Sequence, residues 1–348
     1  MMQFRGLRSG PIVVLAVVLL AACASRSGGR SGRGGTDVDA GPGGPPGTDS
    51  GPIVRPDGSV PPGTTEQCTK MDVLVIVDDS GSMAEEQSNL ATNFPRFVEV
   101  LDAYRTETGL PLDYRLGVTT TGTNITTRIT FPPAFPIPPM DIMETGPEGA
   151  LLQGCGMSRK WIERTDADVA GAFSCVARVG TSGSGVEMPL YALELSMTER
   201  VADGSNAGFL REDALLAVVI LTDENDCSRL DDPIEIMIED PTTGGSGAAD
   251  LCDPSHPMIE PVPRFLGALD SVKGDRGRWA AAVIAGPGPG TCTSDFGDAI
   301  EATRLREFVE MAGENAVFSS ICDGDLSSAL MNAIETFSAA CESFPPLI

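Results

Sequence analysis

The sequence predicts a doubly wound α/β fold, with a mostly parallel sheet flanked by helices on both faces and braced by disulfides. Three observations carry this expectation: strand-length runs of β-branched and apolar residues, helically spaced segments that alternate with them, and Gly and Pro gathered outside both. Met71 to Asp78 (MDVLVIVD) is a continuous apolar run, as expected of a strand buried on both faces. Glu85 to Tyr104 places Leu90, Phe94, Phe97, Val98, Leu101 and Tyr104 on one helical side, with Pro95 a candidate kink. Leu112 to Thr121 reads as the second strand, Asp166 to Arg178 and Glu187 to Val201 as helices, and Leu215 to Thr222 (LLAVVILT) as a buried strand. Pro263 to Val272 is a helix, Arg278 to Ala285 a strand, Ala302 to Ala312 a helix, Ala316 to Ile321 the last strand and Leu326 to Cys341 the closing helix. Alternation of this kind gives a parallel sheet with ligands beyond the carboxyl ends of its strands. Insertions are expected near 125–160, where five prolines between Pro132 and Pro139 argue for irregular chain, and near 225–261, where Ile234 to Ile238 is a short turn or strand.

The ends of the chain read differently. Residues 1–22 have the pattern of an export signal: Arg5 and Arg8, then the apolar core Pro11 to Leu20, which is short for a membrane span. Leu20-Ala21-Ala22-Cys23 resembles the lipobox of bacterial lipoproteins, which implies lipidation of Cys23 and a membrane anchor rather than a span. Ala24, not Asp, follows that cysteine, so the resemblance implies the outer membrane of a Gram-negative cell envelope. Residues 23–66 have almost no apolar content and are expected to be a disordered Gly/Pro/Ser-rich tether. The folded domain is expected over 67–345.

Nine cysteines less Cys23 leave an even set in an exported chain, which suggests disulfides. Many pairings are open. The nearest-neighbour reading is Cys155–Cys175, Cys227–Cys252 and Cys292–Cys322, with Cys68–Cys341 tying the domain ends. No CxxC spacing occurs, which argues against zinc.

The chemistry concentrates at Asp78-Asp79-Ser80-Gly81-Ser82, directly after the first strand. One carboxylate and two hydroxyls, from Asp78, Ser80 and Ser82, make a hard all-oxygen donor set suited to Mg²⁺, Ca²⁺ or Mn²⁺. Such a turn also caps helices without any metal. Asp223 ends a later strand in Leu221-Thr222-Asp223, and Gly180-Thr181-Ser182-Gly183-Ser184-Gly185 is a hydroxyl-rich loop opening a helix. Together these segments resemble the metal-ion-dependent adhesion site of von Willebrand factor A-type (VWA) domains, over roughly residues 68 to 341, and a group of lipid-anchored proteins of Gram-negative bacteria. The resemblance implies a Rossmann-like VWA fold and assigns Asp78, Ser80, Ser82, Thr181 and Asp223 as ligands of Mg²⁺ (or Ca²⁺/Mn²⁺), with Ser182 or Ser184 as alternatives to Thr181. It implies adhesion or assembly: an acidic residue of a protein or cell-surface partner completes the metal's coordination. Glu224 stands where the family usually has glycine.

Composition narrows the alternatives. With 24 Lys+Arg against 49 Asp+Glu, the net charge of −25 argues against nucleic acid and suits cation binding or simple solubility. The single histidine, His256, lies in a Pro-flanked loop with no nucleophile motif nearby, so no catalytic residue is assigned and an enzyme is not expected. A metal-dependent hydrolase and a structural envelope protein with a vestigial site are the alternatives. Glu224, Asp226, Asp231 and Asp232 read as a solvated loop or a second cation site, and Glu85 and Glu86 as residues favouring a helix N-terminus.

Overall fold

The computed structural model describes residues 68–105, 109–230, 233–240, 245–246, 252–295, 297–324 and 326–345. The expected signal peptide (1–22), Cys23 and the tether (23–66) lie outside the described residues, as do Asp231 and Asp232. No helix among the described residues is long and apolar enough to cross a membrane.

In chain order the elements are β1 (Lys70–Val77), α1 (Ala84–Ala103), β2 (Asp113–Thr120), β3 (Ile125–Thr130), β4 (Met140–Glu144), β5 (Trp161–Glu163), α2 (Val169–Val176), α3 (Pro189–Met197) and α4 (Glu199–Ala202). They continue as β6 (Leu215–Leu221), β7 (Ile234–Asp240), β8 (Gly245–Ser246), α5 (Val262–Lys273), β9 (Trp279–Ala285), β10 (Cys292–Ser294), β11 (Gly297–Ala299), α6 (Thr303–Ala312), β12 (Ala316–Ser320) and α7 (Ser327–Glu342).

The main sheet runs β12-β9-β6-β1-β2-β5. Its first five strands are parallel, and only β5 at the edge is antiparallel. The alternation of side chains along each strand divides the core in two. Val73, Val75 and Val77 of β1 pack with Phe94, Phe97 and Leu101 of α1, Phe173 of α2 and Phe337 of α7. Leu74 and Ile76 face the other way, onto Leu190 and Leu193 of α3, Phe265 and Leu269 of α5, and Leu305 and Phe308 of α6. Both faces are thus covered, which is why β1 and β6 are apolar at nearly every position. Pro95 lies inside α1, which runs on past it without interruption.

The insertions hold more order than the prolines suggest. β3 and β4 pair antiparallel, and β3 also pairs in parallel with β7 from the second insertion. A second sheet, β4-β3-β7-β8, therefore joins segments about a hundred residues apart in sequence. This corrects the reading of 125–160 as irregular. The prolines fall in the β3–β4 connection, where no ladder hydrogen bond is needed. Ile125 and Ile234 pack with Met188 and Cys227 into a small core beneath the sheet.

Among the described residues, four disulfides brace the domain. Cys68–Cys341 joins the start of β1 to the end of α7, and Cys155–Cys175 ties the chain before β5 to α2. Cys227–Cys252 closes the second insertion, and Cys292–Cys322 links β10 to the turn after β12.

Candidate functional site

The chain passes from β1 to β2 on one side and later returns to β6 on the other, so the carboxyl end of β1 is the topological switch point. Asp78 sits there, with none of its surface exposed. Its backbone N–H donates to the Leu221 carbonyl (2.9 Å). Its Oδ1 accepts from the Ser80 N–H (2.8 Å), and its Oδ2 accepts from the Thr222 hydroxyl (2.6 Å). The carboxylate is thereby fixed across the ends of β1 and β6. The Ser80 and Ser82 hydroxyls lie 3.0 Å apart on the same turn. Thr222 N–H continues the ladder to Ile284 O (3.2 Å), Asp223 O accepts from Ile300 N–H (2.8 Å), and the Ser82 hydroxyl reaches the Asp223 carboxyl, which sets it at the same carboxyl end of the sheet.

The Gly-rich loop is clamped onto this turn by Gln87 of α1. Its Nε2 donates to Asp78 O (2.9 Å) and Gly180 O (2.6 Å), and its Oε1 accepts from Gly180 N–H (3.1 Å). Gly183 N–H donates to Asp79 O (2.7 Å), and a Cβ on Gly183 would lie 2.4 Å from the Asp79 carboxyl, so only glycine fits this approach. Of the loop hydroxyls, Thr181 and Ser182 are exposed. Ser184 is buried but committed, donating to Glu144 Oε2 of β4 (3.0 Å). Four of the five expected ligands, Asp78, Ser80, Ser82 and Asp223, are therefore gathered at the switch point, and Thr181 sits on the exposed part of the loop beside them.

Two further carboxylates, read from sequence only as helix-start residues, belong to this place. Glu86 is 3% exposed and packs against Gly297. Glu187 is 1% exposed, and its carboxyl oxygens meet no donor other than the neighbouring Glu224 carboxyl. Asp79 Oδ1, Glu86 Oε2 and Asp223 Oδ1 are likewise buried and unpartnered. Among the described residues these are the buried acidic oxygens without a partner, and all fall in one region. Burial, reinforced by the Asp223 charge, pushes Asp78 up to about 7. Burial pushes Asp223 up to about 6, opposed by the Ser82 hydroxyl and assisted by Glu224, and Glu86 up to about 7. Glu187 is raised well above the usual carboxylate range by burial, then by Asp78 and Glu224, and burial also raises Glu224 and Asp79. The charges acting on Asp78, Glu86, Glu187, Asp223 and Glu224 are one another's, joined at Glu86 by Glu85.

A buried carboxylate normally finds a cation or a full set of donors. Oxygen donors, unpartnered acid oxygens and net negative charge fit a hard divalent cation at this position. Among the described residues no three carboxylate, histidine or cysteine side chains already converge in the geometry of a metal cluster. The donor set is a mixed one of carboxylates and hydroxyls.

Asp226 corrects the reading of the acidic run after Asp223. It is neither solvated nor part of a second cation site: it is fully buried and paired with Arg304, itself 2% exposed, at 3.0 Å. It also accepts from the Leu190 N–H (3.1 Å) at the start of α3 and from the Ser228 hydroxyl (2.6 Å). Its task is to lock the loop after β6 onto α3 and α6. The signal was the Asp-x-Ser spacing, which places a hydroxyl within reach of the carboxylate.

No protein-family model matches the chain, and no curated protein matches it. Solved structures with similarity include proximal thread matrix protein 1 from the mussel byssus (14% identity, TM-score 0.37, covering 78% of this chain and 48% of that one). Others are the pilus adhesin SpaC from Lactobacillus rhamnosus GG (12%, 0.39, 79% and 31%) and the pilus adhesin RrgA from Streptococcus pneumoniae (10%, 0.36, 78% and 44%). The chain thus spans less than half the length of each, and likenesses this remote carry no functional conclusion. The family expected from the motif is corrected: no family model or curated relative supports a VWA domain, and no preformed metal cluster is present among the described residues. The motif is short, and acidic-serine turns at strand ends arise in unrelated chains.

Proposed function

We propose that this protein binds a divalent cation at the carboxyl ends of β1 and β6 and uses it to hold a protein or cell-surface partner. The observation that carries this reading is the collection of buried, unpartnered acid oxygens around Asp78 and Asp223, with hydroxyls of Ser80 and Ser82 beside them. Asp78, Ser80, Ser82 and Asp223 would hold the ion, and Mg²⁺, Ca²⁺ and Mn²⁺ all suit such donors. When bound, the ion supplies positive charge and open coordination positions at the surface near Gly81 and Ser82, both exposed. An acidic side chain of the partner is the matching group. Binding of this kind requires no general base, and none is assigned. Anchoring through Cys23 in the outer membrane, with residues 23–66 as a spacer, would present the domain to such partners.

Affinity capture from an envelope extract tests the reading. Wild-type protein should retain a partner that chelator releases, and Asp78→Ala should retain none while keeping its unfolding transition. Equal capture by wild type with chelator and by Asp78→Ala would exclude cation-mediated binding.

A further inference from the structure

An open groove of about 470 Å³ runs between the last turn of α1 and the outer side of α7. Its floor is apolar, with Val100 and Tyr104 on one side and Met331 and Ile334 on the other. Glu335 and Glu342 line it as well, and both are exposed. The Tyr114 hydroxyl, on β2 beside Met71, donates to Asp102 near the end of α1 (2.9 Å), and Cys68–Cys341 fixes the end of α7 at the start of β1. The groove therefore lies at the opposite end of β1 from Asp78.

The chain enters the domain beside this groove. Cys341, bonded to Cys68, directly precedes Glu342, so the residues before Cys68 depart from the groove's end. Those residues carry one stretch of matching chemistry. Val38, Ile53, Val54 and Val60 are the only Val, Leu, Ile, Met or aromatic residues in 24–67, and Arg55 is the only Lys or Arg between Arg33 and Lys70. Ile53-Val54-Arg55-Pro56 thus joins two aliphatic side chains to a cation, against an apolar floor edged by two acids. Arg55 lies thirteen residues before Cys68, a length that reaches up to about 40 Å when extended. From Glu342 back to Met331, α7 covers only about 16 Å. Pro52, Pro56, Pro61 and Pro62 restrict the chain, which lowers the entropy cost of docking, and a short tether gives an effective concentration in the millimolar range. A second copy is the poorer match, since two chains of net charge −25 repel one another.

We propose that Ile53-Val54-Arg55-Pro56 docks in the α1–α7 groove of its own domain, with Ile53 and Val54 on the apolar floor and Arg55 between Glu335 and Glu342. Docking removes residues 53–67 from the free length of the spacer. It also turns the start of β1 toward the N-terminal part of the chain, so that the Asp78 end faces away from it. No bound cation is required.

A photo-crosslinking benzoylphenylalanine at position 54 of the full chain tests this, with adducts mapped by mass spectrometry. Adducts should fall within 100–104 and 331–342 of the same molecule, at a yield independent of protein concentration. Arg55→Glu should lower that yield about fivefold, the scale expected when exposed ion pairs turn repulsive. Adding Glu335→Arg and Glu342→Arg to Arg55→Glu should restore it, and the unfolding midpoint should stay the same throughout. Adducts spread over the whole domain, or a groove adduct indifferent to Arg55→Glu, would overturn the proposal. Adducts between two molecules, rising with concentration, would assign the groove to a second copy and overturn it equally.

Discussion

Asp72 and Asp78 lie at opposite ends of one strand, both with no exposed surface and both raised by burial, but their neighbours differ. Asp72 has a cation of the protein's own. Arg211 reaches it with Nε at 2.7 Å and with its backbone N–H at 2.6 Å. Lys273 stands behind, donating to Arg211 O (2.8 Å), and its own pKa is drawn down to about 8, chiefly by burial. Asp78 has hydroxyls, one backbone N–H and other acids. The contrast separates a structural end of the sheet, where a Lys and an Arg of the chain face the buried charge, from an end where the charge acting on Asp78 is another acid. Asp226 and Asp223 repeat it three residues apart, the first paired with Arg304 and the second with an unpartnered oxygen.

The sharpest way to break the comparison is to remove a charge at each end. Arg211→Met strands Asp72 and should cost about 3–5 kcal/mol in urea unfolding. Asp78→Asn in metal-free protein should cost nothing or stabilise, because a buried charge without a counter-ion disappears. Equal losses in the two variants would erase the distinction. Replacing Cys68 and Cys341 together should cost about 2–5 kcal/mol, given the 273-residue separation they span. Because this bond lies at the structural end, cation affinity measured below the new transition should be unchanged.

The acidic end should also carry its own pH signature. Asp78 is raised in the folded state from 3.8 to about 7. The folded protein therefore holds more protons than the unfolded chain between those values, and metal-free stability falls as pH rises through that window. Asp78→Asn lacks this penalty, so its stability relative to wild type should grow by on the order of 3–4 kcal/mol between about pH 4 and pH 7 and then level off. Saturating Ca²⁺ should flatten the wild-type curve over the same range. A pH-independent difference between the two proteins would contradict the account. Smaller still is the effect of Gln87→Ala, which frees the Gly180 loop from the β1 turn. With about 1 kcal/mol of hydrogen bonding lost, cation affinity should drop about fivefold in calorimetry with little change in unfolding.

Much of this architecture was legible in the sequence for a simple reason. Strands buried on both faces must be apolar throughout, so Met71 to Val77, Leu215 to Leu221 and Trp279 to Ala285 announced themselves, and the loops after them held Asp78 and Asp223. The second sheet was not legible. β3 (ITTRIT) is polar at four of its six positions, β4 is only partly buried, and β7, the parallel partner of β3, lies beyond five further elements after β4, so no local pattern marks the pairing. Asp226 was misread because an acidic run looks solvated until its one distant partner, Arg304, is placed. Glu187 escaped for a related reason: a glutamate before a helix is ordinary, and only the hydrogen bonds from Cys227 N–H to its carbonyl and from Met188 N–H to Thr121 O place it over β1. The family resemblance drawn from the short motif went further than the comparisons support.

Calorimetric titration of chelator-stripped wild-type protein with Ca²⁺, Mg²⁺ and Mn²⁺ decides whether the carboxyl end of β1 takes a divalent cation. Saturable uptake of at least one of these ions, abolished in Asp78→Ala, is the expected result. Absence of uptake of all three up to about 10 mM, beyond the roughly millimolar weakest class of protein cation sites, would contradict it.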